Sequence, residues 1–244
     1  MLNVEEMSIQ NIDHLGIVAG IVDAIDLVEI INDLLGKEED EKVSAGHVVK
    51  AMILNGLGFV YQPLYMFPKF FESIPCEHLI GEGVEAKYLN DDKLGRVMDK
   101  MFLKGLETIF LAISLNVIKK FRIQTTTSHL DSSSIHVHGE YKTPLPEVIF
   151  ENSIIEDESH QEESQLKSKQ EINITYGYSR DHRPDLKQFL IELICTGDGD
   201  IPLFFKTASG NRVDSSYFGE IAVESEMLNA DTKLYIISDT KPKS

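Results

Sequence analysis

Residues 125–141 read TTTSHLDSSSIHVHGEY, and the fold turns on them. Three threonines lead into an alternating segment in which Leu130, Ile135 and Val137 are spaced among Ser and His. β-Branched residues in such an alternation predict a strand, with room for a bulge or tight turn in its middle. The texture on either side of this strand differs. A domain boundary is therefore expected near Arg122, dividing residues 1–122 from residues 123–244.

Upstream, residues 12 to about 122 carry apolar side chains at three- and four-residue intervals. Leu15, Ile17, Val18, Ile21, Val22, Ile25, Leu27, Ile30, Ile31 and Leu34 predict one helix that stops at Gly36, a glycine suited to a left-handed cap. The run KEEDEK (37–42) then predicts a solvated loop, and Ser44 the cap of a second helix, Ala45 to Tyr61. That helix is apolar on most faces, as the buried centre of a small bundle would be. Pro63 and Pro68 break the chain after it. Further helices are expected over Asp91–Met101, with acidic residues at its N-terminus, and over Gly105–Phe121.

Downstream, residues 142–172 hold two prolines and the acidic stretch ENSIIEDESHQEESQ, which predicts an acidic loop with nothing to pack. KQFLIELICT, the turn Gly197-Asp198-Gly199-Asp200 and IPLFFKTA predict a hairpin. Helical spacing returns over Ser215–Leu228, and Leu234–Ser238 reads as a short apolar strand buried on both faces. The fold class expected is α+β or α/β: an all-helical N-terminal domain followed by a sheet domain.

With 23 Lys and Arg against 40 Asp and Glu, the chain has a net charge of −17. This weighs against DNA binding through a bulk basic surface, because such binding replaces condensed counterions with Lys and Arg. The acidic excess is concentrated in the first forty residues and in the loop from Glu151 to Glu163. Two cysteines, Cys76 and Cys195, sit in apolar stretches and predict reduced thiols. Neither a signal peptide nor an apolar run long enough for a bilayer is visible, so a soluble, cytoplasmic protein is expected.

Two carboxylates stand in related settings, Asp131 inside the first strand and Asp239 at the end of the apolar strand. If these strands are neighbours, the pair can converge on divalent cations; otherwise each is an ordinary turn or cap residue. His129, Asp131, His136 and His138 offer a rival, H-x-D-x4-H-x-H, with the residue types of a zinc or iron hydrolase. Strand geometry opposes it, since His129 and Asp131 face away from His136 and His138 unless a bulge at Ser132–Ser134 reunites them.

The stretches HLDSSSIHVHGEY, ITYGYSRDHRPDLKQ, IPLFFKTASGNRVDSSYF and LYIISD, in this order, resemble the catalytic core of insertion-sequence transposases of the DDE class, in the insertion-sequence-four-like branch. NIDHLGIVAGIVD and YLNDDKLGRVMDKMF resemble the N-terminal domain of unknown function that precedes that core. The resemblance implies a ribonuclease H-like mixed sheet with its first three strands antiparallel. It implies metal-dependent DNA cleavage and transfer, with Asp131 and Asp239 as catalytic ligands of Mg²⁺ or Mn²⁺.

The glutamate that completes the family's triad has no counterpart here, and the tail Thr240-Lys241-Pro242-Lys243-Ser244 departs from the family's pattern. A truncated, catalytically incompetent fragment is therefore expected, with an incomplete sheet domain of marginal stability. Its partners would be transposon-end DNA, bound weakly, a homodimer, or full-length transposase that it regulates without catalysis.

Arg180 and Arg183, in the basic segment before the second strand, are candidate phosphate contacts, or else pair with Asp181 and Asp185. Lys206, Asn211 and Arg212 are read as lying past the third strand in a Gly/Asn/Ser turn, lining the same cleft or solvating a loop. In the helical domain, Lys93, Arg96, Lys100 and Lys104 form a basic stripe that can track a phosphate backbone or simply meet water.

Overall fold

The computed structural model describes residues 10–38, 41–141, 172–178, 182–212 and 235–237. The chain forms two compact units, Met1–Phe121 and Arg122–Ser244. The first is helical and the second is built on a mixed β-sheet, an α+β arrangement.

The helical unit contains α1 (Leu15–Ala24), α2 (Leu27–Leu35), α3 (Ala45–Gly56), α4 (Phe67–Phe71), α5 (Cys76–Leu79), α6 (Asp91–Lys104) and α7 (Leu106–Phe121). The single first helix expected from periodicity is two. The chain breaks at Asp26, whose backbone is left-handed with φ of 55°. Two side chains of α7 hold the break: Asn116 Nδ2 donates to Ile25 O at 2.8 Å, and Lys120 Nζ reaches the Asp26 carboxylate at 2.5 Å. Hydrogen bonding to Lys120 holds that carboxyl below its usual range. Apolar spacing continues through the break because both helices bury the same kind of face.

α3 is the centre of this unit, as its all-round apolar character predicts. Val48, Ala51 and Leu54 are fully buried and pack with Ile31 of α2 and Leu94 of α6. Ser44 caps α3, its Oγ accepting from His47 N at 3.3 Å. α2 and α3 touch backbone to backbone at Gly46, where a Cβ would lie 2.2 Å from Val28 O. α3 ends at Gly56, short of the Tyr61 end that the sequence suggests, so Leu57 to Tyr61 leave the helix.

The KEEDEK segment is not simply solvated. Glu41 is buried against α6 and accepts from Lys93 Nζ at 2.8 Å, while Glu38 accepts from Lys100 Nζ at 2.8 Å. Two members of the basic stripe on α6 are thus engaged by the segment's own acids.

The sheet unit contains β1 (Thr127–Val137), β2 (Lys187–Thr196), β3 (Pro202–Ser209) and β4 (Tyr235–Ile237), in the order β3-β2-β1-β4. β1, β2 and β3 are antiparallel neighbours, and β4 runs parallel to β1. This is the mixed sheet that the resemblance implies. Thr196 closes the β2–β3 hairpin: its Oγ1 donates to Asp198 O at 2.7 Å and accepts from Ile201 N at 3.0 Å. Asp200 and Gly199 take positive φ in that turn, which is why Gly and Asp occupy it. The acidic loop (142–171), the helical stretch Ser215–Leu228 and the tail from Ser238 lie outside the described residues.

Candidate functional site

β1 runs unbroken through the alternating Ser/His segment. Its pairing with β2 is regular from Ser128↔Thr196 to Val137↔Lys187, so the bulge or turn expected near Ser132–Ser134 is absent. Ser128, Leu130 and Ser132 are buried, whereas His129, Asp131 and Ser133 face outward. The register slips instead in the β2–β3 ladder, between Ile194 and Cys195.

This regularity separates the histidine cluster. His129 and Asp131 share the exposed face, His136 is on the other, and His138 lies past the strand's end. Among the described residues, no group of three or more His, Cys, Asp or Glu is placed to hold a metal ion. The rival hydrolase site is not assembled by these residues.

Asp131 stands at the middle of β1, with Leu193 of β2 as its cross-strand neighbour and Phe205 of β3 beyond that. Its Oδ1 accepts from Ser132 N at 2.9 Å. On the other edge, β4 is in parallel register with β1 through Thr127↔Tyr235, Ser128↔Ile236 and His129↔Ile237. Asp239 and Arg180 lie outside the described residues.

Arg183 makes a two-pronged contact with Asp185, Nε at 2.9 Å and Nη2 at 2.8 Å from the two carboxylate oxygens. The Arg183 guanidinium lowers the Asp185 carboxyl to about 2, and both side chains are exposed. Lys206 departs from the sequence-based expectation: it lies within β3, directly opposite Glu192 of β2, and not in the turn. KTAS continues the strand to Ser209, and the turn begins only at Gly210. Arg212 is exposed on that turn, where its N–H donates to Ser209 O at 3.0 Å.

Sequence reasoning missed the residue that ties these segments together. Gln188 is 1% exposed, and its Nε2 donates to Gly210 O at 2.8 Å and to Tyr178 O at 3.1 Å. Its backbone also pairs with Thr175. Three chain segments meet there with no room for side chains: a Cβ on Gly177 would lie 1.8 Å from Gly210 O, and one on Gly210 2.0 Å from Gln188 O. The two glycines within ITYGYSRDHRP and KTASGNR were the available signal. Gln188 thereby fixes the turn carrying Arg212 and the stretch leading toward Arg183 at the head of β2.

The buried face of the sheet is also more polar than an apolar-in alternation predicts. Gln188, Glu192 and Thr196 are buried on the same phase of β2 as Leu190 and Ile194. Ser132, Glu192 and Lys206 form one row across β1, β2 and β3.

The fold and this site define a two-unit protein: a helical bundle and a mixed sheet whose central strand presents an outward carboxylate. Residues 7–115, most of the helical unit, match the family model described as "Domain of unknown function (DUF4277)". No curated protein and no solved structure matches the chain. Among the described residues, no single helix is long and apolar enough to cross a membrane.

Proposed function

We propose that the sheet unit belongs to a transposase of the insertion-sequence DDE class, acting on DNA in the cytoplasm. Asp131 and Asp239 are its two metal-binding carboxylates. One observation carries the reading: β4 lies beside β1 and parallel to it, paired as far as His129↔Ile237. Two residues beyond each member of that pair, the sequence carries Asp131 and Asp239.

The donors suit Mg²⁺ or Mn²⁺, which take hard oxygen ligands from few side chains. A bound cation would supply Lewis-acid stabilisation of charge developing at a phosphodiester. The chain's own residues do the rest. β1 holds Asp131 outward and the Ser132 N–H orients its carboxylate, the Gln188 clamp fixes the turn that carries Arg212, and Arg212 and Arg183 supply phosphate contacts. Lys206, opposite Glu192 on β3, is a further candidate phosphate contact.

Two carboxylates hold a cation weakly and do not complete a two-metal clamp. The chain alone is therefore expected to bind Mn²⁺ weakly and to nick transposon-end DNA very poorly. Titration of Mn²⁺ by paramagnetic relaxation tests this: binding should be lost in Asp131→Asn and in Asp239→Asn. Binding as tight as wild type in either variant overturns the site. Clear nicking that Asp131→Ala abolishes keeps the site but overturns the expected inactivity.

A further inference from the structure

Outward positions recur at every second residue of β1, and next to Asp131 on that exposed face stands His129. Side chains two apart on a strand are spaced by about 6.6 Å, so an imidazole and a carboxylate projecting from one face can close on a single ion between them. The strand does not disturb this relation, because the β1–β2 ladder keeps its register from Ser128 to Val137. The same regularity sets the later histidines apart: His136 is on the other face and His138 lies past the strand's end.

His129 also sits on the seam between β1 and β4. It pairs with Cys195 of β2 on one side and with Ile237 of β4 on the other. Two residues after His129 the sequence reaches Asp131, and two residues after Ile237 it reaches Asp239. His129 thus shares a strand with one carboxylate of the proposed site and a strand pairing with the segment that leads to the other.

The chemistry of the donors gives that place a consequence. Two carboxylates form an all-oxygen site, which suits Mg²⁺ and leaves most of its coordination positions to water. A neutral imidazole adds a third donor without adding negative charge. Nitrogen is a poor partner for Mg²⁺ and a good one for transition metals, with Mn²⁺ bound less tightly than Zn²⁺. With His129 in the set, the carboxylates supply the charge and the imidazole selects the metal.

We propose that His129 is the third protein ligand of the cation held by Asp131 and Asp239, and that it shifts the site's preference from Mg²⁺ toward Mn²⁺ and Zn²⁺. The inference rests on the carboxylate site proposed above. Pulsed electron paramagnetic resonance of Mn²⁺ bound to the untagged full chain tests it: coupling to a nitrogen nucleus is expected, and it should vanish in His129→Ala but persist in His136→Ala and His138→Ala. The His129→Ala chain should keep its circular dichroism, since the side chain is exposed. It should bind Mn²⁺ weaker by roughly tenfold or more, at least the loss caused by removing an outer-shell partner. In wild type, Zn²⁺ should displace the Mn²⁺ at lower concentration than Mg²⁺ does, and that advantage should shrink in His129→Ala. Mn²⁺ that binds through Asp131 without nitrogen coupling, coupling that survives His129→Ala, or an undiminished Zn²⁺ advantage overturns the role of His129 and leaves the carboxylate site standing. Mn²⁺ binding that Asp131→Asn leaves intact overturns both.

Discussion

The helical unit and the sheet unit bury polar groups for different purposes. In the helical unit the core is one apolar cluster running from Leu15 to Ile109, and its buried polar groups serve individual local tasks. Ser44 caps α3, Asn55 clamps a loop, and Lys50 reaches out to Asp23. In the sheet unit, polar and apolar residues share the buried face row by row: Ser132 with Glu192, Ser128 with Thr196, and Gln188 among three segments. Apolar packing defines the first unit, whereas in the second a polar scaffold fixes where loops begin.

The strongest way to break the comparison uses one glycine from each unit. Gly46 lets α3 approach the backbone of Val28, and Gly210 lets its turn approach the carbonyls of Gln188 and Thr175. In an exposed helix interior, Gly→Ala would stabilise by about 1 kcal/mol. Here a Cβ meets backbone that cannot swing aside, so both Gly46→Ala and Gly210→Ala should destabilise by about 3 kcal/mol. Urea unfolding followed by circular dichroism measures the loss, and proteolysis should locate it in the helical unit for Gly46→Ala and in residues 172–212 for Gly210→Ala. A Gly46→Ala variant more stable than wild type would show that the helices separate without cost.

Next come the polar groups themselves. Gln188→Leu removes the donor to Gly210 O and Tyr178 O and should cost about 2 kcal/mol, the usual penalty for orphaned carbonyls. In the helical unit, Lys50 is 3% exposed, and its ion-pair partner Asp23, at 2.5 Å, is 60% exposed. Asp23→Asn should cost about 2 kcal/mol by leaving a buried ammonium without its counter-charge, whereas Lys50→Met should be near neutral, because it removes the buried charge as well. If Lys50→Met proves as damaging as Asp23→Asn, the lysine is as structural as Gln188 and the contrast between units narrows.

Much of the fold is legible in the sequence, and the misses share a cause. The helical unit, the cap at Ser44, the hairpin and the strand carrying Asp131 follow from periodicity and turn chemistry, which are local signals. The break at Asp26 is hidden because α7, ninety residues away, supplies the groups that hold it. The Glu38 and Glu41 pairs with α6 are hidden for the same reason. On β2, hydropathy gives no sign that Gln188 and Glu192 are buried. Their burial is set by neighbours from β1, β3 and the segment around Thr175. Of the site, Asp131 is readable from its strand, while the Gln188 clamp needs the fold.

A smaller effect should appear with pH. His47, half-buried beneath Gly81, is held below its usual range chiefly by burial, with the charges of Lys50 and Lys37 adding to it. The folded state thus favours the neutral ring, while the unfolded chain takes up a proton near about pH 6.5. Stability from this group is complete above that value and declines as pH falls below it. Urea midpoints compared at about pH 7.5 and about pH 5.5 should fall for wild type and fall less for His47→Gln. An equal fall in both would assign the pH dependence to other groups.

The smallest effect belongs to the exposed Arg183–Asp185 pair. The Asp185 carboxyl is lowered to about 2 by its bond to Arg183. Its contribution is therefore present above the ordinary carboxylate value and is lost as pH falls from about 4 toward 2. Because both partners are exposed, Asp185→Asn should leave Tm unchanged within error. Its consequence is functional. Asp185 occupies two prongs of the guanidinium that the proposed reading directs at a phosphate, and the variant removes that competitor. Fluorescence anisotropy with duplex DNA at two salt concentrations should then show tighter binding and a log–log salt slope steeper by about 0.9, the signature of one added phosphate contact. An unchanged slope would make Arg183 part of the sheet unit's loop structure and leave Arg180 and Arg212 to meet the DNA.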